Sequence, residues 1–563
     1  MVVLGVCDSQ DSGACLFLDG RLVAAVNEER LNRHKLWGGV PLQSIAECLR
    51  LGGVEAKDVE QVVVGTQATP NVIARAFRDV HQPLRKWNGQ FRYVLNAFIT
   101  YQTLARQLRA PLAMEAAVAR AILARDLREE GIAAKVTTVD HHLAHAAGAW
   151  STSPFDEALV VTVDGLGDGL SVTVSVGRRG QGLARVHQET GFSALTLYYS
   201  RLTEFLGFTA IKDEGKVNAL AAYTNEMPAL DIARKILSTR DGRLSVKNHL
   251  LPESRDAWPW NELAKHGREE VAASFQKNLE DVMKEFVRHW LKKTGMRNLA
   301  LAGGLFANVK LNQRLASMDE VEGIYIFPHM GDGGLAVGGC LAWLKSEPEP
   351  LKNAFLGPSF DEAQVQAALA ETGAKGRRCE DIEVETGKLL AAGKVVARHS
   401  GRMEFGPRAL GNRSILFQAT DPTTIDWLNV QLKRSPFMPF APAMLDEDYH
   451  ACVVGGHKAT HASQFMTIAF DVTPRMRKEC PGAVHVDDTA RPQRITADAN
   501  PGFARILKVY KDLTGLPSVI NTSFNMHEEP IVCTPRDAVL AFRKSNLDAL
   551  AVGPYLVLRE TPA

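Results

Sequence analysis

Apolar and polar positions form short alternating blocks at the start of the chain. Residues 8–13 are mostly polar and separate two of the apolar blocks, which are 2–6, 15–18 and 22–26. Asp19-Gly20 stands between the second and third blocks, and this dipeptide favours a tight β-hairpin turn. The pattern predicts a strand, a polar loop and a hairpin.

Helical and strand-like segments follow in alternation. Helical periodicity runs over 41–51, and the Ala-, Leu- and Arg-rich region near 71–130 is predicted to form several helices. Short apolar runs predict buried strands at 136–139, 158–163, 170–176 and 297–301. Strands that alternate with helices indicate an α/β fold, here with a helical insertion near 71–130.

The chain is predicted to contain two domains. Its 563 residues exceed what one hydrophobic core usually covers. A polar, proline-rich stretch at 346–350 is the best candidate linker. We therefore expect a first domain over 1–345 and a second domain over 355–563. The sequence shows neither an internal repeat nor a P-loop.

The composition limits the classes of partner. The chain is 45% hydrophobic and 23% charged, with a net charge of +1. A nearly neutral chain gives no electrostatic reason to expect nucleic acid or a membrane as a partner. The sequence has no signal-peptide pattern and no membrane-spanning apolar run, and its eight cysteines form no Cys-x-x-Cys pair. We expect a cytoplasmic protein with reduced cysteines.

His141 and His145 are the first candidate metal ligands. They are four residues apart, so both imidazoles lie on one face if the chain is helical there. Asp164 follows a predicted strand and Asp332 lies in a glycine-rich loop, and each can add a carboxylate ligand. Such a donor set suits iron, zinc or manganese. Histidines at helical spacing also occur in core or capping roles, and that alternative stays open here.

A second candidate site is the Gly303-Gly304 turn. It follows a predicted strand and opens a helix that carries Lys310 and Arg314. Backbone N–H groups at such a turn can bind an anionic or adenosine ligand, and the loop around Asp332 repeats the arrangement. A tight strand-to-helix turn without a ligand would carry the same glycines.

The second half of the chain concentrates cations among apolar residues, glycines and prolines. These cations are Arg402, Arg408, Arg413, Lys433 and Arg434. One guanidinium group can bind two phosphate oxygens at once, and a rigid backbone fixes the direction of the arginine side chain. Two polar clusters, 487–494 and 519–525, add groups that can bind a nucleotide or an acyl phosphate. A solvated arginine face and an ordinary turn are the alternative interpretations.

Several motifs follow one another along nearly the whole chain, at 140–146, 163–165, 213–217, 303–308, 331–334, 401–416, 433–442, 521–525 and 529–532. Together they resemble the O-carbamoyltransferases of the nodulation and antibiotic-tailoring family. The resemblance implies an N-terminal domain like the tRNA-threonylcarbamoyl transferase subunit, with an actin/hexokinase-type (ASKHA) fold. It also implies a YrdC-like α/β C-terminal domain.

The resemblance implies a reaction in two steps. In the family, the C-terminal domain converts carbamoyl phosphate and ATP, with Mg²⁺, to carbamoyl-adenylate. The N-terminal domain then transfers the carbamoyl group to a hydroxyl and releases AMP. The implied acceptor is a small molecule such as a sugar or a natural product. The sequence identifies neither this acceptor nor the oligomeric state.

The resemblance also implies roles for individual residues. An iron(II) ion, or another divalent metal, would be held by His141, His145, Asp164 and Asp332. The adjoining nucleotide pocket would be lined by Lys216, Gly303, Gly304 and Asn308. In the second domain, the implied catalytic residues are Lys433, Arg491 and Ser523. The implied ligand-binding residues there are Arg408, Arg413, Arg434, Arg494, Asn521 and Asn525.

The first loop departs from the family pattern. Family members commonly carry a His-Asp pair there, whereas this chain has Gln10-Asp11. A proton-transfer role of that histidine cannot be carried over, so Asp11 or Asp8 takes it, or the acceptor differs. Two other functions remain open. One is a metal-dependent hydrolase, although the chain has no His-Glu-x-x-His motif. The other is a catalytically inactive nucleotide-binding module.

Overall fold

The computed structural model describes residues 1–69, 72, 75, 90–108, 112–247, 254, 256–421, 437–526 and 528–559. The fold is mixed α/β, as predicted, and the chain divides into two compact units. The first unit comprises Met1–Glu28 and Leu36–Leu351, and the second comprises Glu29–Lys35 and Lys352–Ala563. Within these described ranges, no helix combines the length and the apolar character that a bilayer crossing requires.

The first sheet of the first unit has five strands. They are β1 (Val2–Cys7), β2 (Gly13–Leu18), β3 (Arg21–Asn27), β4 (Gln61–Val64) and β5 (Lys135–Thr138). Their order is β3-β2-β1-β4-β5, with an antiparallel meander of β1 to β3 and with β4 and β5 parallel to β1. The predicted hairpin is confirmed. Asp19 and Gly20 have φ angles of 49° and 80°, as a type I′ turn requires.

The second sheet repeats this topology. The strands of this region are β6 (Glu157–Gly167), β7 (Leu170–Arg178), β8 (Gly182–Thr190), β9 (Leu237–Arg240), β10 (Arg243–Val246), β11 (Asn298–Ala302) and β12 (Gly323–Ile326). The sheet order is β12-β11-β6-β7-β8, again an antiparallel meander followed by two parallel strands, while β9 and β10 form a separate hairpin. The predicted strands near 158–163, 170–176 and 297–301 are confirmed.

Helices connect and cover these two sheets, apart from the first helix, most of which belongs to the second unit. They are α1 (Glu28–Asn32), α2 (Leu42–Gly52), α3 (Gln90–Gln107), α4 (Ala113–Glu129), α5 (His141–Ser151), α6 (Leu195–Phe205), α7 (Glu214–Leu220), α8 (Leu230–Ile236), α9 (Trp260–Leu263), α10 (Arg268–Thr294), α11 (Val309–Ala316) and α12 (Leu335–Leu344). Of the predicted helical insertion near 71–130, the structure describes α3 and α4. Residues 73–74 and 76–89 lie outside the described part of the chain.

Helices α5 and α12 pack against each other between the two sheets. Helix α5 contacts β6 and β11 of the second sheet, and α12 contacts β1 and β4 of the first. Gly338 permits this close packing, because a Cβ there would lie 2.1 Å from the carbonyl oxygen of Ala144. Both helices are therefore buried, as their apolar sequences require, and the start of α5 is held firmly in place.

In its described residues, the second unit is built on a mixed sheet of eight strands. The strands of this unit are β13 (Arg377–Arg378), β14 (Val396–His399), β15 (Arg413–Gln418), β16 (Ala441–Leu445), β17 (Phe470–Asp471), β18 (Thr489–Ala490), β19 (Gln493–Ile495), β20 (Ser518–Ser523), β21 (Ala549–Val552) and β22 (Tyr555–Leu558). The sheet order is β13-β22-β21-β14-β15-β20-β16-β19, and β17 pairs separately with β18.

Helices of the second unit bury one apolar core against this sheet. They are α13 (Glu362–Thr372), α14 (Ile382–Ala391), α15 (Asp446–Cys452), α16 (Pro474–Glu479), α17 (Pro501–Thr514) and α18 (Pro535–Lys544). Leu390 of α14 and Phe503 of α17 pack with Val396 and Val519 of the central strands. Asn500 begins α17 by accepting a hydrogen bond from the N–H of Phe503 at 3.0 Å.

A short segment from the start of the chain belongs to the second unit. Within residues 29–35, Arg30 donates to the carbonyl oxygen of Gly406 at 2.8 Å. Arg33 donates to the carbonyl oxygens of Pro530 and Ile531 at 2.8 and 2.6 Å. These charge-assisted bonds fix the segment to two loops of the second unit.

Candidate functional site

The two predicted histidine ligands lie on one face at the start of α5. Both side chains are buried, and the ring centroids of His141 and His145 are 4.8 Å apart. The helix begins here because Asp140 caps it and accepts from the N–H of Leu143 at 3.0 Å. Asp168 supports the same turn, since it accepts from the N–H of His141 at 2.9 Å and from three N–H groups of a neighbouring loop.

Asp164 and Asp332 bring two carboxylates to these rings. Nε2 of His145 lies 2.8 Å from Oδ2 of Asp164 and 3.7 Å from Oδ1 of Asp332. Nε2 of His141 lies 3.5 and 3.7 Å from the same two oxygens. One ligand atom from each of the four residues lies within 4.8 Å of the others. We call His141, His145, Asp164 and Asp332 the His/Asp cluster.

The donor set of the His/Asp cluster fits a divalent metal. Ligands bonded to one ion at about 2.0–2.2 Å lie within roughly 4.4 Å of one another, so little rearrangement is needed. Neither ring nitrogen of buried His141 has a hydrogen-bond partner among the described residues, which is unusual for buried polar atoms. Two imidazoles and two carboxylates suit iron, zinc or manganese.

The charges of the cluster depend on one another. Burial raises the pKa of Asp332, and the neighbouring carboxylate of Asp164 raises it further. Burial also raises the pKa of Asp164, but the two histidines outweigh burial and hold that pKa well below its usual range. Burial lowers the pKa of His141, yet the carboxylates outweigh it and raise this pKa to about 9. A cation placed here would replace the proton on His141.

His142 lies between the two ligands in sequence but outside the His/Asp cluster in space. Its Nδ1 is 2.7 Å from the hydroxyl of Thr162. Burial lowers the pKa of His142 to about 3, and His141 and His145 lower it as well. His142 therefore stays neutral, and its contacts indicate a structural role.

Two residues that the sequence analysis did not single out shape the cluster. The hydroxyl of Ser9 donates to Oδ2 of Asp332 at 3.0 Å. A Cβ at Gly167 would lie 2.0 Å from the ring of His141, so only glycine leaves room for that imidazole. The polar character of the loop that contains Ser9 was one weak signal in the sequence.

The Gly303-Gly304 turn lies directly beside Asp164. Gly303 has a φ of 101°, and a Cβ there would lie 2.2 Å from the carbonyl oxygen of Val163. A Cβ at Gly304 would lie 3.2 Å from Oδ1 of Asp164. The two glycines thus bring the backbone close to the His/Asp cluster.

Asn308 and Lys216 lie on neighbouring helices. Asn308 caps α11 by accepting from the N–H of Leu311 at 3.0 Å, and it also accepts from the amide of Asn218 on α7 at 2.9 Å. Lys216, on the same helix as Asn218, forms an ion pair with Asp213 at 2.9 Å. Gln276 completes this polar group by accepting from the amide of Asn308 at 2.9 Å. Nothing in the sequence singled out Asn218 or Gln276.

The first loop separates two aspartates with different surroundings. Asp8 is buried and accepts from Arg75 at 2.7 and 3.0 Å. Asp11 is partly exposed, and its Oδ2 lies 3.6 Å from Nε2 of His329. The amide of Asn27 lies between the two groups, 2.7 Å from Nε2 of His329 and 3.4 Å from Oδ1 of Asp11. The sequence analysis missed His329, because nothing in the pattern tied it to the first loop.

The predicted cations of the second unit differ in their contacts. Arg408 makes no hydrogen bond or ion pair with the described residues, and its Nε is buried. Burial lowers the pKa of Arg408 to about 10, so it remains charged at neutral pH. Arg413 instead donates to backbone carbonyls, those of Ser400, Asn412, Gly401, Pro358 and Cys533. Arg494 pairs with Asp446.

Among the other predicted residues that the structure describes in the second unit, Asn521 lies within β20, and Ser523, Asn525 and Arg491 lie at or beyond strand ends. Asn521 of β20 donates to Gln493 at 2.7 Å, while its own Oδ1 is buried without a partner among the described residues. The hydroxyl of Ser523 donates to Asn525 at 2.6 Å. Arg491 is half-buried between β18 and β19. Lys433 and Arg434 lie outside the described residues, so their predicted roles stay predictions.

Two family models match the chain in sequence order. The model described as Carbamoyltransferase N-terminus matches residues 2–341, and the one described as Carbamoyltransferase C-terminus matches residues 387–559. The uncharacterized protein MJ1058 of Methanocaldococcus jannaschii is 35% identical over 76% of this chain and 74% of its own. The nodulation protein NolNO of Sinorhizobium fredii is 31% identical over 98% of this chain and 79% of its own.

A solved structure, that of full-length HypF in a phosphate- and nucleotide-bound form, is similar at a TM-score of 0.34 and 13% identity over 61% of this chain and 46% of HypF. This structural likeness is too weak to support any statement about fold or ligand. The two family models and NolNO identify the family without this structure. They confirm the resemblance drawn from the motifs, and the chain belongs to the carbamoyltransferase family.

Proposed function

We propose that this carbamoyltransferase is an ATP-dependent O-carbamoyltransferase that works in two steps. The second unit forms carbamoyl-adenylate from carbamoyl phosphate and ATP, and the first unit transfers the carbamoyl group to a hydroxyl of a small molecule. The observation that carries the proposal is the His/Asp cluster beside the Gly303-Gly304 turn, in a chain of this family.

The chemistry of the first step requires strong activation. A carbamoyl carbon is a poor electrophile, and a mixed anhydride with AMP supplies a good leaving group. One water supplies the oxygen that balances the step: cleavage of carbamoyl phosphate releases phosphate and leaves carbamate. An oxygen of carbamate attacks the α-phosphorus of ATP and displaces pyrophosphate.

Residues of the second unit are assigned to the phosphates and the carbamoyl group. Arg408 is the best supported, because a half-buried guanidinium with a buried Nε and no partner among the described residues favours an anionic ligand. We assign Lys433, Arg434, Arg491 and Ser523 to the same ligands, with Mg²⁺ accompanying ATP. The buried Oδ1 of Asn521, which has no partner among the described residues, can accept from the carbamoyl amide. Arg413, Arg494 and Asn525 hold the surrounding loops through the contacts described above.

In the first unit, the acceptor oxygen attacks the carbamoyl carbon, and AMP leaves with the bonding electron pair. The N–H of Gly303 already donates to the carbonyl oxygen of Met330 at 2.7 Å, so Gly303 lines the pocket and the N–H of Gly304 is assigned to the AMP phosphate. Lys216 and Asn308 are assigned to the nucleotide. His141, His145, Asp164 and Asp332 would hold iron(II) or another divalent metal. When bound, the metal would stabilise negative charge on the phosphate or carbonyl oxygen. Asp11 receives the hydroxyl proton.

We extend the proposal to the fold of each unit. The two sheets of the first unit have the same topology, and α5 and α12 pack against each other between them. This arrangement supports an actin/hexokinase-type (ASKHA) first domain. The eight-stranded mixed sheet is compatible with a YrdC-like second domain. We further assign acceptor recognition to the helical block near 71–130, and we place the protein in the cytoplasm.

The first experiment tests the second unit without knowledge of the acceptor. Purified protein is incubated with ATP, carbamoyl phosphate, Mg²⁺ and iron(II), and carbamoyl-adenylate and pyrophosphate are measured by mass spectrometry and a coupled assay. We expect both products from the wild type and a loss of about 100-fold in Arg408→Ala, because one charged contact to the developing anion is removed. Arg505→Ala is the matched control, since Arg505 pairs with Asp381 on the surface.

The same experiment separates the alternatives. A metal-dependent hydrolase, which the His/Asp cluster alone would also support, would release product from carbamoyl phosphate when ATP is omitted. A nucleotide-binding module without catalysis would bind ATP and form no product. Either result, with folded and metal-loaded protein, would reject the O-carbamoyltransferase.

A further inference from the structure

Asp11, Asn27 and His329 form a connected polar group next to the His/Asp cluster. Nε2 of His329 is 2.7 Å from the amide nitrogen of Asn27 and 3.6 Å from Oδ2 of Asp11. The same amide nitrogen is 3.4 Å from Oδ1 of Asp11. Because an amide nitrogen carries two hydrogens, Asn27 can donate one to each partner. It holds the imidazole and the carboxylate in a fixed relation.

Two loops supply both this group and the His/Asp cluster. The loop after β1 carries Ser9, which bonds Asp332 at 3.0 Å, and Asp11 follows two residues later. The loop after β12 carries His329 and Asp332. A Cβ at Gly333 would lie 2.2 Å from the ring of His329, so the imidazole occupies the space that this glycine leaves. Asp11 and His329 therefore lie beside the proposed reaction centre.

Exposure and backbone conformation distinguish Asp11 from His329. The side chain of Asp11 is 22% exposed, whereas that of His329 is 3% exposed. Asp11 also has a φ of 61°, a left-handed conformation that costs free energy and is often found at functional sites. A substrate hydroxyl can thus reach Asp11, with His329 behind it. Asp8 is unsuited to this role, because Arg75 already binds both of its oxygens.

We propose that Asp11 and His329 form a proton relay for the acceptor hydroxyl, an inference that rests on the proposed O-carbamoyl transfer. As the hydroxyl oxygen bonds to the carbamoyl carbon and the bond to AMP breaks, the hydroxyl proton moves to Asp11. From Asp11 it passes to Nε2 of His329 as the Asn27 N–H, which occupies the lone pair of Nε2 at rest, moves away and the 3.6 Å gap between Asp11 and His329 closes. The proton returns to solvent after AMP leaves.

The imidazole of His329 holds a proton near neutral pH better than a carboxylate does. An isolated carboxylate, with an ordinary pKa near 4, holds a proton poorly at neutral pH, whereas an imidazole has an ordinary pKa near 6.5. Gln10, the neighbour of Asp11, has no group that titrates in this range. Asp11 is thus the catalytic residue, and His329 is a positioning residue that acts through it.

The test separates proton transfer from adenylate formation and from metal binding. Full-length wild type and His329→Gln receive ATP, carbamoyl phosphate and iron(II), with glycerol at high concentration as the hydroxyl probe. Carbamoyl-glycerol, carbamoyl-adenylate and bound metal are each measured. We expect His329→Gln and Asp11→Asn to lose carbamoyl-glycerol formation by about 100-fold, with unchanged adenylate formation and metal content. His289→Gln, a histidine on α10, is the matched control and keeps wild-type rates.

A second variant distinguishes proton transfer from a structural role. His329→Gly leaves a space for free imidazole, and added imidazole should restore carbamoyl-glycerol formation by at least about tenfold, in proportion to its unprotonated fraction. Wild-type rates in His329→Gln, or no restoration by imidazole in a His329→Gly protein that keeps its metal, would overturn the relay alone. A wild type that makes no carbamoyl-adenylate would overturn the proposed function and the relay with it.

Discussion

The two units arrange their candidate polar residues in opposite ways. In the first unit, two histidines and two aspartates converge on one point, so that their ligand atoms face one another. In the second unit, protein groups already bind several of the predicted cations that the structure describes. Arg413 bonds to five backbone carbonyls, whereas Arg408 has no partner among the described residues.

This difference shows what residue type can and cannot indicate. Carboxylates and imidazoles whose ligand atoms face one another form a site by their arrangement. An arginine among apolar residues satisfies its five donors either with a ligand or with backbone carbonyls, and both outcomes occur in this unit. The contacts of each guanidinium therefore decide its role.

The largest expected effect comes from the first unit. His145→Ala removes one of four ligands, and we expect bound metal to fall below detection and carbamoyl transfer to fall by about 1000-fold. Carbamoyl-adenylate formation should stay unchanged, because it is assigned to the second unit. Metal analysis and mass spectrometry of both products check this.

His142→Gln is the matched control for that substitution. His142 lies on the same helix but contacts Thr162 rather than the cluster, so this variant should retain its metal. Equal metal content in His145→Ala and wild type would show that the His/Asp cluster is not the metal site.

The next largest effect is a contrast within the second unit. Arg408→Ala should reduce adenylate formation by about 100-fold and change the free energy of unfolding by less than about 1 kcal/mol. Arg413→Ala should lower the free energy of unfolding by about 3 kcal/mol or more, because it leaves several buried carbonyls without donors. Denaturant titration and the adenylate assay check both expectations. The reverse pattern would mean that Arg413 binds the ligand and that Arg408 is structural.

The elements that depend on local sequence could be predicted. Asp19-Gly20 marked a hairpin, the apolar runs marked β6, β7 and β11, and the spacing of His141 and His145 placed both on one face of α5. These features arise from interactions within a few residues. The His/Asp cluster could be anticipated because its two histidines begin a helix, Asp164 follows a predicted strand and Asp332 lies in a glycine-rich loop.

The features that depend on tertiary contacts could not be predicted. His329 and Asn27 are 302 residues apart, and no local pattern joins them. The repeated sheet topology leaves no repeat in the sequence, since many sequences satisfy the same burial pattern. The structural role of Arg413 could likewise not be predicted, because its partners are backbone carbonyls, which any residue supplies.

A smaller effect tests how tightly the first site is packed. Gly167→Ala places a methyl group 2.0 Å from the present position of the His141 ring, so the imidazole must shift. We expect metal affinity to fall by about 10- to 100-fold, measured by competition with a chelator. Gly165→Ala is the matched control in the same strand, since its methyl group would meet only the hydroxyl of Thr196 at 3.3 Å. Equal losses in both variants would assign the effect to the strand rather than to His141.

The smallest effect asks whether Asn308 is a helix cap or a nucleotide ligand. Asn308→Ser retains a capping hydroxyl, so the free energy of unfolding should change by less than about 1 kcal/mol. The shorter side chain loses the amide that links Asn218 and Gln276, and we expect AMP affinity to fall about fivefold, as for the loss of one hydrogen bond. Calorimetric titration with AMP measures this. Unchanged AMP affinity would make Asn308 a cap alone and would restrict the nucleotide contacts of the first unit to the glycine turn.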